Sequence, residues 1–433
     1  MQSEVVDIAY GRGHIGVRVP ADVRATVIRK QALPKLADPR GAIQQALEHP
    51  VNSPSLAELS RGRKSACILI CDITRPVPNG LFLQQMIRTM IEAGIPREEI
   101  TVLVATGLHR PNEGAELAEL VGDPWVLENV RVVNHFARDE DSLVDLGATP
   151  TRGTPVFINR LLVDADLRIA TGLVEPHFMA GWSGGRKVVA PGVAGHKTIR
   201  TFHSARFMED PLAVQCNLAG NPLHEEQLEI VRKVGELYAL NTVIDEDRDL
   251  CFVSFGEIIA SHLAAVEFVA AETAIPVGRK FKTVVTSAAG YPLDKTYYQT
   301  VKGMVTPLDI LEPGGTLIIA SECSEGFGSE HFLASQRQLL ELGPERFLAT
   351  LSAKTLADID EWQTEMQLKP MRIGRIQLHT GGLTPDERLA TCVEIVGSIE
   401  EAIAQSVARQ GDADVAFIPE GPYVVPLARG VAP

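Results

Sequence analysis

Residues 66–71 read ACILIC and residues 72–76 read DITRP. An apolar run that short, closed by polar and turn-forming residues, predicts a strand buried on both faces. From about Leu81 the period changes. Leu83, Met86, Ile87, Met90 and Ile91 fall at i, i+3, i+4, i+7 and i+8, which predicts an amphipathic helix ended by Gly94. Apolar runs then return at Ile100–Ala105 (ITVLVA), Val130–Val133 and Leu167–Ala170. Strand and helix in alternation predict a mainly parallel sheet covered by helices.

Further along, Asn221 and Pro222 read as an N-cap and first helical residue, opening a helix to about Tyr238. Another helix is expected over Glu257–Ala271. The stretch AIPVGRK at 274–280 then breaks the pattern. Beyond it the alternation restarts. Strand Thr283–Ser287, a helix from about Lys295, and strand Thr316–Ala320 after Pro313-Gly314-Gly315 come first. A helix near Thr355–Met366 and strands Arg375–Leu378 and Val415–Ile418 complete the chain. The expectation is an α/β protein of two domains, 1–273 and 274–433. Each is a mainly parallel sheet flanked by helices, with the active site in the cleft between them.

Composition narrows the function. In 433 residues there are 41 Lys and Arg against 55 Asp and Glu, a net charge of −14. That sign argues against a nucleic-acid partner. The longest apolar run is the six-residue one, far short of the ~20 residues that cross a bilayer. The opening MQSEVVDIAYGRG carries neither a basic nor an apolar leader segment. A soluble, cytoplasmic protein without a membrane partner is expected. The six cysteines, Cys67, Cys71, Cys216, Cys251, Cys323 and Cys392, form no CxxC pair, so neither a disulfide framework nor a structural zinc site is expected.

In open α/β sheets ligands bind beyond the carboxyl ends of the strands. Five such ends carry polar residues beside Gly or Pro: Asp72-Ile-Thr74-Arg75-Pro76, Thr106-Gly107-Leu-His109-Arg-Pro, Thr171-Gly172-Leu-Val-Glu175-Pro-His177, Gly290-Tyr-Pro-Leu-Asp294, and Ser321-Glu-Cys-Ser-Glu-Gly326. Tyr298, Gln299 and Lys302 follow the fourth end on one helix. The densest stretch is 175–203, EPHFMAGWSGGRKVVAPGVAGHKTIRTFH. Its Gly181-Trp-Ser183-Gly-Gly185 matches the nucleophile elbow by letter. However, Pro191 and Gly192 arrive too soon for the helix that an elbow requires. The small residues Ser183, Gly184 and Gly185, ending in Arg186-Lys187, instead suit an anionic, planar group. Of the eleven histidines, His14, His49, His135, His224, His262 and His379 sit in ordinary surface or helix contexts. His109 and His177 each follow a Thr-Gly after a strand, where an imidazole could exchange a proton at working pH.

Taken in series, these motifs resemble the lactate racemase family, whose members use a nickel-pincer nucleotide. The resemblance runs from about residue 66 to Glu420-Gly-Pro-Tyr423 and spans both expected domains. It implies that Lys187 carries the cofactor covalently, through a thioamide, and that His203 is the protein's ligand to nickel. It implies that His109 and His177 are the paired acid/base residues. Arg75, Gln299 and Lys302 match positions that anchor the substrate carboxylate or shape the site, and Asp72 and Thr74 match positions of the cofactor cleft. Trp362 and Tyr298 are expected to line the pocket. The substrate implied is a 2-hydroxy acid, and cofactor-making enzymes are the implied partners. Met179 stands where an aromatic is expected in lactate-acting members, which opens the reading to larger acids, sugar acids included. Two other readings are weighed beside it. One is a hydrolase using Ser183 or a metal held by a histidine cluster, and the other a non-catalytic nickel- or small-anion-binding protein.

Overall fold

The computed structural model describes residues 4–428, which divide into two compact units. The first comprises Ala32–Phe202 and Leu212–Ala271. The second comprises 4–31, His203–Pro211 and 272–428. The later cut falls close to residue 274. The single-cut expectation, however, assigns 4–31 and 203–211 to the first domain, and the packing groups them with the second. The reasons are apolar contact and one ion pair. Val6, Ile8, Val17 and Val19 of the hairpin Val5–Tyr10/Gly13–Arg18 share a core with Val285, Ile318, Val415 and Phe417. Ala205 packs with Leu339, Phe347, Leu351 and Leu368, and Arg372 holds Glu209 through two bonds of 2.6 and 2.9 Å.

The first unit is built on a six-stranded sheet in the order Leu250–Glu257, Tyr238–Ile244, Leu167–Leu173, Ala66–Cys71, Ile100–Ala105, Arg131–Asn134. Only the first of these runs antiparallel to its neighbour. Ile68, Leu69 and Ile70 are fully buried, as a central strand covered on both faces requires. The helix Asn79–Glu92 lays Phe82, Leu83, Met86, Ile87 and Met90 on this sheet. The expected bounds 66–71 and 100–105 match the observed strands. The third strand, expected to stop at Ala170, runs on through Leu173 and takes Thr171 and Gly172 into the sheet. The helix begun at Pro222 ends at Val234, one turn earlier than its periodicity suggests, because Gly235 follows with φ +96°.

The second unit carries a wholly parallel sheet in the order Glu394–Ile395, Arg375–His379, Leu311–Ala320, Phe281–Ser287, Asp414–Ile418, Arg24–Val27. The helices Tyr297–Val305, Glu330–Leu342 and Glu361–Ile373 pack together in the same unit. No helix among the described residues is long and apolar enough to cross a membrane.

Candidate active site

Three strands lie side by side in the first unit: Leu167–Leu173, Ala66–Cys71 and Ile100–Ala105. All three point the same way, so their following loops emerge together. Asp72 sits just beyond the central strand and is only 5% exposed. Its Oδ2 lies 2.6 Å from Nδ1 of His109, and its Oδ1 accepts the Thr74 hydroxyl at 2.6 Å. Burial by itself would raise the Asp72 carboxyl. The His109 hydrogen bond and charge, the Thr74 hydroxyl and the Arg75 charge more than offset that and hold it below the usual value. Arg75 reaches the third loop, where its guanidinium donates to Glu175 at 3.0 Å. Contacts thus link His109, Asp72, Arg75 and Glu175 in one line, two residues short of His177.

The loop beyond Glu175 is held by main-chain contacts. Pro176–His177 pairs with Gly181–Trp182, and Nδ1 of His177 accepts the main-chain N–H groups of Met179 and Ala180 at 3.4 and 3.2 Å. Ser183 donates its hydroxyl to Leu173 O at 2.7 Å and accepts from Glu175 N at 3.0 Å. The short helix Arg186–Val189 then presents the partly buried Lys187. The glycines permit this by close approach. A Cβ on Gly172 would lie 2.7 Å from Gly185 N, and Gly184 takes φ +93° with Val174 Cγ2 2.5 Å from where its Cβ would be.

Arg186 and Ser183 both bond to groups that hold the loop itself. Arg186 is 1% exposed, and its guanidinium is spent on His262 (2.8 Å), Ala180 O (3.1 Å) and Trp182 O (2.9 Å). It braces the loop from the interior, where burial pushes its guanidinium down to about 9. Ser183 likewise ties the loop to the strand end, its hydroxyl bonded to main-chain groups of Leu173 and Glu175. The histidine brace was not legible: His262 reads as an ordinary helix residue yet is 1% exposed. Asn241, fully buried in the strand Tyr238–Ile244, accepts from Gly185 N at 2.9 Å and donates to Ser261 at 3.0 Å. A polar residue amid YALNTVI was the available signal, since a buried amide must find partners.

In the second unit His203 is 8% exposed, and its ring centroid lies 5.1 Å from that of Trp362. The Trp362 indole N–H reaches the Tyr298 hydroxyl at 3.3 Å, and Tyr298 stands edge-on to Phe332. Gln299 and Lys302 are partly buried on the helix Tyr297–Val305, and the buried Oε1 of Gln299 has no hydrogen-bond partner. Met179 is 3% exposed in the first unit, and its carbonyl accepts from Asn221 at 3.0 Å.

A histidine cluster for a protein-only metal cage does not occur among the described residues. The one group of potential ligands close enough to share an ion is Asp245, Asp247 and Asp249, and Lys35 Nζ already stands 3.0, 2.8 and 2.7 Å from them. A transition metal on His203 would therefore draw its other donors from a bound organic ligand. The glycine-packed loop around Lys187 fits such a group.

The model of the lactate racemase N-terminal domain matches residues 10–215, and that of the lactate racemase C-terminal domain matches 278–425. The lactate racemase of Lactiplantibacillus plantarum is 31% identical over 426 residues, 97% of this chain and 99% of that one. The lactate racemase of Thermoanaerobacterium thermosaccharolyticum is 33% identical over 329 residues, 76% of each chain. The solved lactate racemase apoprotein from that organism superposes with a TM-score of 0.89 at 28% identity, covering 98% of this chain and 100% of its own. A Thermotoga maritima protein at 19% identity and TM-score 0.64, covering 86% and 97%, shares the fold. With these likenesses beside the fold and the strand-end loops, the molecule is an enzyme of the isomerase class, a racemase. The chain belongs to the lactate racemase family.

Proposed function

We propose that this enzyme racemises a 2-hydroxy acid, or epimerises it at C2, using a nickel-pincer nucleotide joined covalently to Lys187 and ligated by His203. Lactate is the substrate named for the relatives. A larger acid, such as a sugar acid, is the second candidate, because a flexible thioether, Met179, stands where the resemblance implies an aromatic in lactate-acting members. The observation that carries the reading is the Asp72–His109 contact at a strand end beside the loop that presents His177 and Lys187.

Removing the C2 proton of a 2-hydroxy acid would build negative charge next to a carboxylate. Removing that hydrogen as hydride, with the hydroxyl proton taken by a base, avoids the carbanion and leaves a planar 2-keto acid. When bound, the cofactor supplies the electrophilic acceptor for that hydrogen. His109 and His177 act on the substrate oxygen. Arg75, aligned by Glu175, and Lys302 hold the substrate carboxylate by charge-assisted hydrogen bonds. Gln299 offers its unpartnered oxygen to a substrate hydroxyl. Asp72 and Thr74 position His109. Trp362 and Tyr298 shape the surroundings of His203. Ser183, Gly184, Gly185 and Arg186 set the path of the loop that carries Lys187. A cytoplasmic setting supplies the cofactor-making enzymes on which the holoenzyme depends.

The test is an assay of single enantiomers from a panel of 2-hydroxy acids, run on enzyme co-expressed with those cofactor-making enzymes. Loss of optical rotation with at least one acid is expected. A fully loaded enzyme that leaves every member optically pure contradicts the reading.

A further inference from the structure

The second unit carries a cleft that shares no residue with the site described above. It lies at one edge of the parallel sheet, beyond the carboxyl ends of Arg375–His379 and Glu394–Ile395. In open α/β sheets that is the end at which ligands bind. Its volume is about 740 Å³, within the range of about 300–1,000 Å³ usual for small-molecule sites. One wall is apolar, formed by Leu389, Val393 and Ile395, and Leu389 keeps 69% of its surface exposed. At Gly397 a Cβ would meet nothing within 4 Å, so the main chain lies open there.

The charge in this cleft comes from Arg388. Its Nε donates to Leu383 O at 3.0 Å, which fixes the guanidinium beside the helix Pro385–Ala390. Its two terminal nitrogens make no hydrogen bond or ion pair among the described residues. The acids near it in the chain are engaged elsewhere or unpaired with it. Glu387 accepts from Phe327 N at 3.2 Å and from the Thr384 main chain and hydroxyl at 2.9 and 2.8 Å. Glu394 holds Arg375 and the Gln377 amide. Asp386 is exposed on the first turn of the same helix and makes no ion pair with Arg388. Of the other polar lining residues, Thr380 donates its hydroxyl to Glu322 O at 3.0 Å, and His379 packs on Tyr10 with ring centroids 5.8 Å apart. A guanidinium without a counter-charge beside an exposed apolar wall matches a ligand with an anionic head and a hydrocarbon body.

We infer that this cleft binds small organic monocarboxylates. The carboxylate pairs with the terminal N–H groups of Arg388, and the hydrocarbon body covers Leu389, Val393 and Ile395. The site is independent of the racemase reading, since it involves neither Lys187 nor His203 and needs no turnover to be observed.

Hexanoate is the probe and hexanamide its uncharged counterpart, each titrated into the full-length protein carrying 13C-labelled Leu, Val and Ile methyl groups. Hexanoate should shift the methyl signals of Leu389, Val393 and Ile395 and saturate in the millimolar range. Hexanamide should bind at least about tenfold more weakly. Arg388→Gln should weaken hexanoate by a similar factor and leave hexanamide unchanged. Should that variant fail to fold, the comparison of acid and amide in the wild-type protein decides the matter alone. Hexanoate that leaves these three signals unmoved would overturn the inference. Equal binding of acid and amide, or undiminished hexanoate binding by folded Arg388→Gln, would overturn it as well.

Discussion

The carboxylate of Asp72 lies 2.6 Å from the imidazole of His109, although 37 residues and a whole helix separate them in the chain. The contact exists because Ala66–Cys71 and Ile100–Ala105 are adjacent parallel strands whose ends share one edge of the sheet. The contact ties the buried carboxylate into the packing of the two strand ends. The Asp72 carboxyl is held low despite its burial, so its stabilising contribution is full above the unfolded carboxyl range of about 3.9. That contribution is lost as pH falls through the lower folded value. Asp72→Asn should flatten the acid limb of stability and lower kcat by about 10²-fold or more. Denaturant midpoints near pH 7 and near pH 3 check the first effect. An unchanged acid limb in the variant would contradict it.

Gly172→Ala should damage the site from inside the sheet. The added methyl would meet Gly185 N at 2.7 Å and Gly184 Cα at 2.9 Å, both main-chain atoms that cannot swing aside. A destabilisation of about 1–3 kcal/mol is expected, together with displacement of the loop that bears Lys187. Thermal unfolding and intact mass after cofactor loading report on the two effects separately.

Glu365 sets a pH dependence of opposite sign to that of Asp72. Burial, reinforced by the Glu209 charge, pushes its carboxyl up to about 8, and its Oε1 has no hydrogen-bond partner. The folded state therefore holds a proton that the unfolded chain releases near 4.3. Stability from this group is full below that unfolded value and falls as pH rises toward about 8, by as much as about 1.4 kcal/mol per pH unit. Glu365→Gln should remove that decline. Urea melts near pH 5 and near pH 8 should converge in the variant and differ in wild type.

Metal content separates ligation from chemistry. His203→Ala should lose nickel from co-expressed holoenzyme. His109→Ala and His177→Ala should keep nickel while losing racemisation. Elemental analysis beside the optical assay distinguishes these outcomes, and nickel loss in all three would contradict the assignment.

The parts legible in the sequence are those set by local pattern. ACILIC and ITVLVA gave strand bounds because an uninterrupted apolar run between polar ends has few other readings. The strand Tyr238–Ile244 stayed hidden because the periodicity of the preceding helix runs straight into it and Asn241 interrupts its apolar character. Strand-end polarity pointed to Asp72, His109 and His177. Their partners followed only from the sheet order that sets three loops side by side. The buried role of Arg186 was beyond reach, since two cations in sequence give no sign of which one turns inward to His262. Nor does local pattern reveal that His203–Pro211 packs with the helix Glu361–Ile373, because that depends on a contact made more than 150 residues later.

The central claim is that the C2 hydrogen moves as hydride and never mixes with solvent. Racemisation of a C2-deuterated enantiomer in ordinary water tests it most directly. Deuterium should be retained in the opposite enantiomer formed during the first turnovers, as seen by mass spectrometry after chiral separation. Its replacement by solvent hydrogen at the rate of racemisation would contradict the account and require a carbon-acid mechanism.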